Sequence, residues 1–339
     1  MISTNRDRRE WRIILWLSFG AMVISAYFGS TVTEGTVWHG VISGAGHSLI
    51  IATPILLFEV KGQHLALVRR LRRLPLLWYF AFRVAFYIVV IFIGLVIGHL
   101  LLATHGLHFD ERFRDSLVFS ISMSILAIFF FQIGSLLGFR TLRSLAAGRY
   151  SRPRTEQKAF LLIDMKNSTG MAERLGPIRF HELLNDFFRD VSDAALECQA
   201  EIHKYVGDEA ILTWPSNRAL SEGDVVACPF VALDFIAANK AGYDERFGVT
   251  PEFRAALHYG EIVAGEIGDV RREIAYVGDT LNVAARLLEA AKAVGRDILV
   301  STDLLARSAL PPAPVAGPLP RLAGRGGEAP LEIAALSRA

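Results

Sequence analysis

The sequence predicts an all-α membrane domain of four helices followed by a soluble α+β domain, on three observations. Four long stretches free of Asp, Glu, Lys and Arg lie before Arg140. Arginines cluster at alternate ends of those stretches. After Arg140 the pattern changes to short apolar runs broken by turns and by one long amphipathic helix. At 339 residues and 52% apolar, the chain has room for two domains and is unusually apolar for a soluble protein.

The uncharged stretches run from Ile13 to Thr33, Gly35 to Phe58, Val84 to Phe109 and Ser116 to Phe139. Each can cross a hydrocarbon core about 30 Å thick, which takes roughly 20 helical residues. They predict helices over about 13–33, 37–58, 76–103 and 116–139 in a transmembrane domain covering 1–139. Arg6, Arg8, Arg9 and Arg12 precede the first span, Lys61, Arg69, Arg70, Arg72 and Arg73 follow the second, and Arg140, Arg143 and Arg149 follow the fourth. The opposite loops carry only Arg112 and Arg114. The positive-inside rule then places both termini, and the soluble half, in the cytoplasm of a multi-pass protein of the cell (inner) membrane. A secretory signal is the competing reading of residues 1–33, but the span is long and lacks a convincing small-residue cleavage site. Net charge is +2, which argues against a nucleic-acid partner. Cys198 and Cys228 show no metal-ligand spacing and read as reduced core residues.

Polar groups inside the spans are His39, His47, Glu59, Arg83 and His99. Glu59 and Arg83 fall near cytoplasmic ends, where snorkelling or helix packing accounts for them. His47 lies on the small-residue run Ser43–Ser48, suited to close helix contact, and with His99 forms a weak candidate for a metal or haem site. Residues 140–154 read as a linker: a short helix carrying Leu142, Leu145 and Ala146, ended by Gly148 and Pro153.

The soluble domain is expected over 155–339. Ala159–Ile163 reads as a buried strand that delivers Asp164 into a turn, followed by the small polar stretch Lys166–Gly170. Ile178–Ala200 is a helix with an apolar face, and Glu201–Trp214 forms two short strands around Gly207-Asp208, a hairpin signal. Glu252–Gly268 reads as a strand pair bent at Gly260 and Gly265, and Glu273–Val277 as another strand. A helix then carries Asn282 and Arg286 four residues apart, on one face. In such a βαββ arrangement Asp164 and Asp208 converge. Paired carboxylates suit a hard divalent cation, but each also reads as a plain turn cap, and spacing alone does not decide between the two.

Four ordered motifs decide more. Phe160–Asp164, Lys204–Asp208, Ala256–Gly260 with Val263 and Gly265, and Val277–Arg286 together resemble the catalytic domain of class III nucleotidyl (adenylyl) cyclases, over about 155–337. The resemblance implies a ferredoxin-like core, two Mg²⁺ or Mn²⁺ ions per site, and a homodimer with active sites at the subunit interface. It assigns Asp164, Asp208 and the Met165 carbonyl to the metals, and Lys204 to the purine. It assigns Asn282 to the ribose and Arg286 to the transition-state phosphate. Asn167, Ser168 and Gly170 would form a phosphate loop through backbone amides. The implied activity is that of a membrane-bound adenylate cyclase, a phosphorus–oxygen lyase that converts ATP into 3′,5′-cyclic AMP and pyrophosphate.

Three positions depart from the family. Ser168 stands where an aromatic is usual. Ala275 stands where many adenylyl cyclases place Asp or Thr, so base choice leans on Lys204. The C-terminal phosphate-binding lysine has no clear counterpart, leaving Arg325 or Arg321 as substitutes. A guanylate cyclase and a catalytically inactive cyclase-like membrane receptor are the alternatives. A diguanylate cyclase, suggested by Val206–Ala210, leaves Lys204, Asn282 and Arg286 without a role.

Overall fold

The structure, a computed structural model, describes residues 5–32, 36–62, 68, 71, 74–102, 111–137, 142–144, 147–214, 218–270, 272–309, 314–319, 321 and 330–338. Contacts divide the chain into two compact units, Met1–Arg143 and Ser144–Ala339.

The first unit holds helices α1 (Asn5–Val32), α2 (Val37–Val60), α3 (Leu76–Leu102) and α4 (Glu111–Leu137). Each contains an apolar window of 22 to 24 residues, long enough to cross a bilayer. Their outward side chains are apolar, among them Trp16, Trp38, Leu77, Leu101 and Phe129, as a lipid-facing surface requires. Ile51, Ile55, Tyr87, Ile91, Leu95 and Ile128 fill the space between the helices. Arg83 on α3 pairs with Glu59 on α2 and donates to Gln132 on α4 at 3.2 Å, so the two charges meet by interhelical contact. His47 Nδ1 lies 2.8 Å from the Ser43 carbonyl oxygen, within its own helix. The side chain of His99 lies outside the described residues, as do Leu145 and Ala146 of the linker.

In the second unit the elements after the linker are β1 (Arg154–Met165), α5 (Ser168–Leu175), α6 (Pro177–Glu197), β2 (Glu201–Val206), β3 (Glu209–Thr213), α7 (Arg218–Ser221), α8 (Asp224–Ala238), α9 (Lys240–Phe247), β4 (Phe253–Ile267), β5 (Glu273–Val277), α10 (Asp279–Ala293), β6 (Ile298–Ser301), α11 (Thr302–Leu305), β7 (Pro314–Pro318) and β8 (Ile333–Arg338). The strand order is β2-β3-β1-β4-β6-β8-β7, with β5 paired to β4. Its first four strands, β2-β3-β1-β4, are antiparallel throughout, and β1-α6-β2-β3-α8-β4 is a ferredoxin-like βαββαβ unit.

Alternation along β1 separates two cores. Ala159, Leu161, Ile163 and Met165 join Leu183, Phe187 and Val191 of α6 and Val225, Val226 and Cys228 of α8. Phe160 and Leu162 face the other way, into a smaller core with Ala284, Leu287 and Ala291 of α10. Burial on both faces explains the unbroken apolar run Phe160–Ile163. Cys198 and Cys228 are buried free thiols. Asp190 of α6, fully buried, accepts from Tyr243 Oη at 2.6 Å and Asn239 Nδ2 at 2.9 Å, which ties α9 to the same layer.

One expectation is corrected. Residues 252–268 are not a strand pair: β4 is a single strand of 15 residues that stays in register with β1 from Met165↔Phe253 to Arg154↔Ala264. Gly260 and Gly265 do not turn the chain but admit close neighbours. A Cβ on Gly260 would lie 2.6 Å from Thr280 Oγ1, and one on Gly265 would lie 3.3 Å from Pro153. The stretch before β1 also packs onto this unit. Tyr150 is buried in the smaller core, its carbonyl accepts from the Glu266 amide at 3.0 Å, and Arg149 pairs with Glu156 at 3.0 Å.

Candidate active site

The residues singled out from the sequence that the structure describes fall into three groups on the second unit. Asp164 shares the parity of Phe160 and Leu162, so it projects on that face. Directly opposite it stand Glu209 on β3 and Arg254 on β4, and directly opposite residues share a face. Asp208 sits in the turn between β2 and β3, after Gly207 at φ 62°. Half-buried, Asp164 is held above the usual carboxylate range first by burial and then by the charge of Asp208; Arg254 and Lys292 pull the other way. Glu209 is pushed up to about 7 by burial and then by the charges of Asp164 and Asp208. Burial first, and the neighbouring carboxylates second, oppose ionisation of both groups, and a bound cation would favour it. Among the described residues no group of three or more His, Cys, Asp or Glu is placed to hold a metal ion by itself. Two aspartates fit a hard cation whose shell is completed by backbone oxygen, water and substrate phosphate.

Beyond Asp164 the chain passes Met165, which is buried, and reaches Asn167 at φ 52°, a left-handed conformation that Asn tolerates. Ser168 and Gly170 lie in the first turn of α5, where amide N–H groups have no partner within the helix. Lys166 is committed beside this loop, at 2.6 Å from Asp297 and 3.2 Å from Glu252.

A second group forms where β5 meets β2. A β-bulge puts His203 and Lys204 against the single position Ile211, which re-aims both side chains. His203 stacks on Tyr276 with ring centroids 4.3 Å apart, and its pKa is lowered to about 4, first by burial and then by the Lys204 charge. The Lys158 ammonium lies 5.3 Å from the same Tyr276 ring centroid and 3.4 Å from Glu156. Lys204, half exposed, reaches Glu273 at 3.5 Å. Ala275 lies two residues along β5 from Glu273.

The third group is on α10. Thr280 Oγ1 donates to the Glu261 carbonyl at 2.6 Å and anchors the helix start against β4. The helix buries Ala284, Leu287, Leu288 and Ala291. Asn282 is exposed and Arg286 half-buried, one turn apart and off the buried face. Arg321 is exposed and pairs with Glu332 at 2.5 Å, while Arg325 lies outside the described residues.

Glu209, Arg254 and Glu273 belong to these groups and were not singled out from the sequence. Glu209 follows Asp208 directly, and its adjacency was a usable signal. Arg254 and Glu273 are brought in by strand register and by the bulge, which alternation does not encode.

A family description for the adenylate and guanylate cyclase catalytic domain matches residues 151–308. Adenylate cyclase 2 of Rhizobium meliloti (strain 1021) is 36% identical over 275 residues, covering 79% of this chain and 76% of that protein. That alignment is longer than the catalytic unit, so it includes part of the N-terminal helices. An adenylate cyclase of Anabaena cylindrica is 25% identical over 160 residues, covering 46% of this chain and 32% of that protein. Among solved structures, a bacterial light-regulated adenylyl cyclase superposes with a TM-score of 0.50 at 15% identity, over 64% of each chain, a likeness of fold. With its fold, its carboxylate pair and a relative this close along most of its length, the chain belongs to the class III nucleotidyl cyclases, enzymes of the phosphorus–oxygen lyase class.

Proposed function

We propose that this chain is a membrane-bound adenylate cyclase that converts ATP into 3′,5′-cyclic AMP and pyrophosphate as a homodimer. The observation that carries the reading is the approach of Asp208, from the β2–β3 turn, to Asp164 at the end of β1, close enough for its charge to act on the Asp164 carboxyl. Asp164, Asp208 and the Met165 carbonyl would hold two Mg²⁺ or Mn²⁺ ions. When bound, those ions supply acidification of the ribose 3′-hydroxyl and neutralisation of the triphosphate. The 3′-hydroxyl loses its proton to solvent as its oxygen attacks the α-phosphorus, the bond from the α-phosphorus to the oxygen bridging the β-phosphate breaks, and pyrophosphate leaves with that oxygen.

The chain's own groups account for the rest. Asn282 orients the ribose, and Arg286 meets charge developing on the α-phosphate as a preorganised cation. The amides of Ser168 and Gly170, with Asn167 shaping the turn, receive phosphate oxygens. Arg254, opposite Asp164, adds a fixed positive charge beside the carboxylates. Lys204 donates to adenine N1.

A second copy of the chain fits the face that carries Asp164. Val206, opposite Glu209, is an exposed apolar side chain on that face, and Val263, Ile267 and Val277 form a second exposed apolar group where β4 pairs with β5. In the shared-site arrangement one protomer offers the carboxylates and its partner Lys204, Asn282 and Arg286. Arginine placement supports a cytoplasmic catalytic unit, which the helices would anchor in the lipid bilayer and raise in local concentration.

The test uses the full-length chain in membranes supplied with Mn²⁺ and ATP or GTP. Cyclic AMP from ATP, in excess over cyclic GTP from GTP, is the expected result. The reverse preference, for which Ala275 is the reason to look, makes the chain a guanylate cyclase. No product from either makes it a receptor. Asp164→Ala and Asn282→Ala are each expected to be inactive alone and to regain activity when co-expressed, because a heterodimer retains one intact site. Heterodimers that form without regaining activity overturn the shared site.

A further inference from the structure

We propose that Glu273 is a base-reading residue: its carboxylate accepts the hydrogen bond of the adenine 6-amino group that Ala275 cannot accept. The inference rests on ATP as substrate and on Lys204 facing the purine, and it deepens that reading.

Three observations place Glu273 there. Glu273 and Ala275 are two apart on β5, so their side chains leave the same face of the strand. The Glu273 carboxylate lies 3.5 Å from the Lys204 ammonium, across the junction of β5 with β2. That junction is held by the His203–Tyr276 stack and by the Lys158–Tyr276 contact, so the pair sits on a fixed base. Both side chains remain about half exposed, 43% for Glu273 and 52% for Lys204, and are open to a ligand.

The chemistry of the pair matches one edge of adenine. Adenine presents an acceptor at N1 and a donor at the 6-amino group; an ammonium beside a carboxylate presents the complement. With Lys204 opposite N1 and Glu273 opposite the 6-substituent, guanine sets its N1–H against the ammonium and its O6 against the carboxylate. Two repulsive contacts then replace two attractive ones, which is how a site rejects the wrong base.

A cycle between the residue and the substrate group tests this without assuming how Glu273 acts. In membranes bearing the full-length chain, kcat/KM is measured for ATP and for purine riboside 5′-triphosphate, which lacks the amino group. The unaltered chain is expected to favour ATP by about 10- to 100-fold, the range of a hydrogen bond to a charged acceptor. In Glu273→Ala the two substrates should converge to within about 2-fold. Glu273→Gln, whose amide can rotate to donate to O6, should raise GTP turnover relative to ATP. A ratio in Glu273→Ala equal to that of the unaltered chain overturns the inference while leaving the adenylate cyclase reading intact. No cyclic AMP from ATP with the unaltered chain overturns that reading and, with it, this one.

Discussion

The two faces of the catalytic sheet are built on opposite rules. On one, α6, α8 and α9 lie over Leu161, Ile163 and Met165, and the buried polar groups are matched within the layer, as Asp190 is by Tyr243 and Asn239. On the other, α10 packs over Phe160 and Leu162, and Asp164, Glu209 and Arg254 stand together at the end of the same strands, with Lys292 of α10 acting on Asp164. There the charges are clustered against their own repulsion, and two carboxyls sit above their ordinary pKa. The closed face maximises stability; the open face gives some up to keep a site for ligands. Substitutions on the two faces should therefore separate stability from activity.

The largest effect belongs to the open face. Asp164→Asn should lower cyclic AMP formation by about 10³-fold or more, the scale lost when a group that organises transition-state charge is removed. Because the same change removes a repulsive charge beside Asp208 and Glu209, the unfolding midpoint of the metal-free, full-length protein in detergent should hold or rise. A marked fall in that midpoint would mean that Asp164 is a structural cap.

Phe187→Ala is the counterpart on the closed face. Its ring is fully buried among α6, β1 and Phe253, and truncation should cost about 3–5 kcal/mol. Activity per folded molecule should be nearly unchanged. Loss of activity with stability intact would break the division between the faces.

His203 makes the open face respond to acid. Its pKa is lowered to about 4 in the folded protein against an ordinary value of 6.5, so the unfolded chain binds a proton first as pH falls. The stability due to neutral His203 is complete above pH 6.5 and is lost as pH falls toward 4, by up to about 3 kcal/mol. Full-length protein should show that loss in urea unfolding between those limits, and His203→Gln should show less of it by the same amount. Parallel pH profiles for the two proteins would place His203 in solvent.

What the sequence made legible follows from periodicity. Span length, the helix over α6, the hairpin around Gly207-Asp208 and the common face of Asn282 and Arg286 are all local patterns. The family, and with it the ferredoxin-like core, followed from four short motifs in order. What stayed hidden is long-range pairing. Nothing local says that Arg254 stands opposite Asp164, that a bulge turns Lys204 toward Glu273, or that Asp190 is matched by residues about 50 positions away. The glycines of β4 misled for a related reason. Gly260 and Gly265 have the composition of bends, but the space they leave is filled by Thr280 and Pro153, from elements distant in sequence.

That same contact carries the smallest and most discriminating prediction. Thr280→Val keeps the shape of the side chain and deletes the 2.6 Å bond from Oγ1 to the Glu261 carbonyl. The stability cost should be about 1 kcal/mol, the net value of one such bond. If α10 were only a core helix, activity per folded molecule would stay level, as for Phe187→Ala. Because the bond fixes the end of α10 from which Asn282 and Arg286 project, kcat should fall by about 3- to 10-fold, the cost of a small misplacement of positioned groups. KM for ATP should change less, since Lys204 and Glu273 are held by β2 and β5 rather than by α10. A rise in KM with kcat unchanged would place the nucleotide's anchoring on α10 and would move the division between binding and chemistry off the sheet.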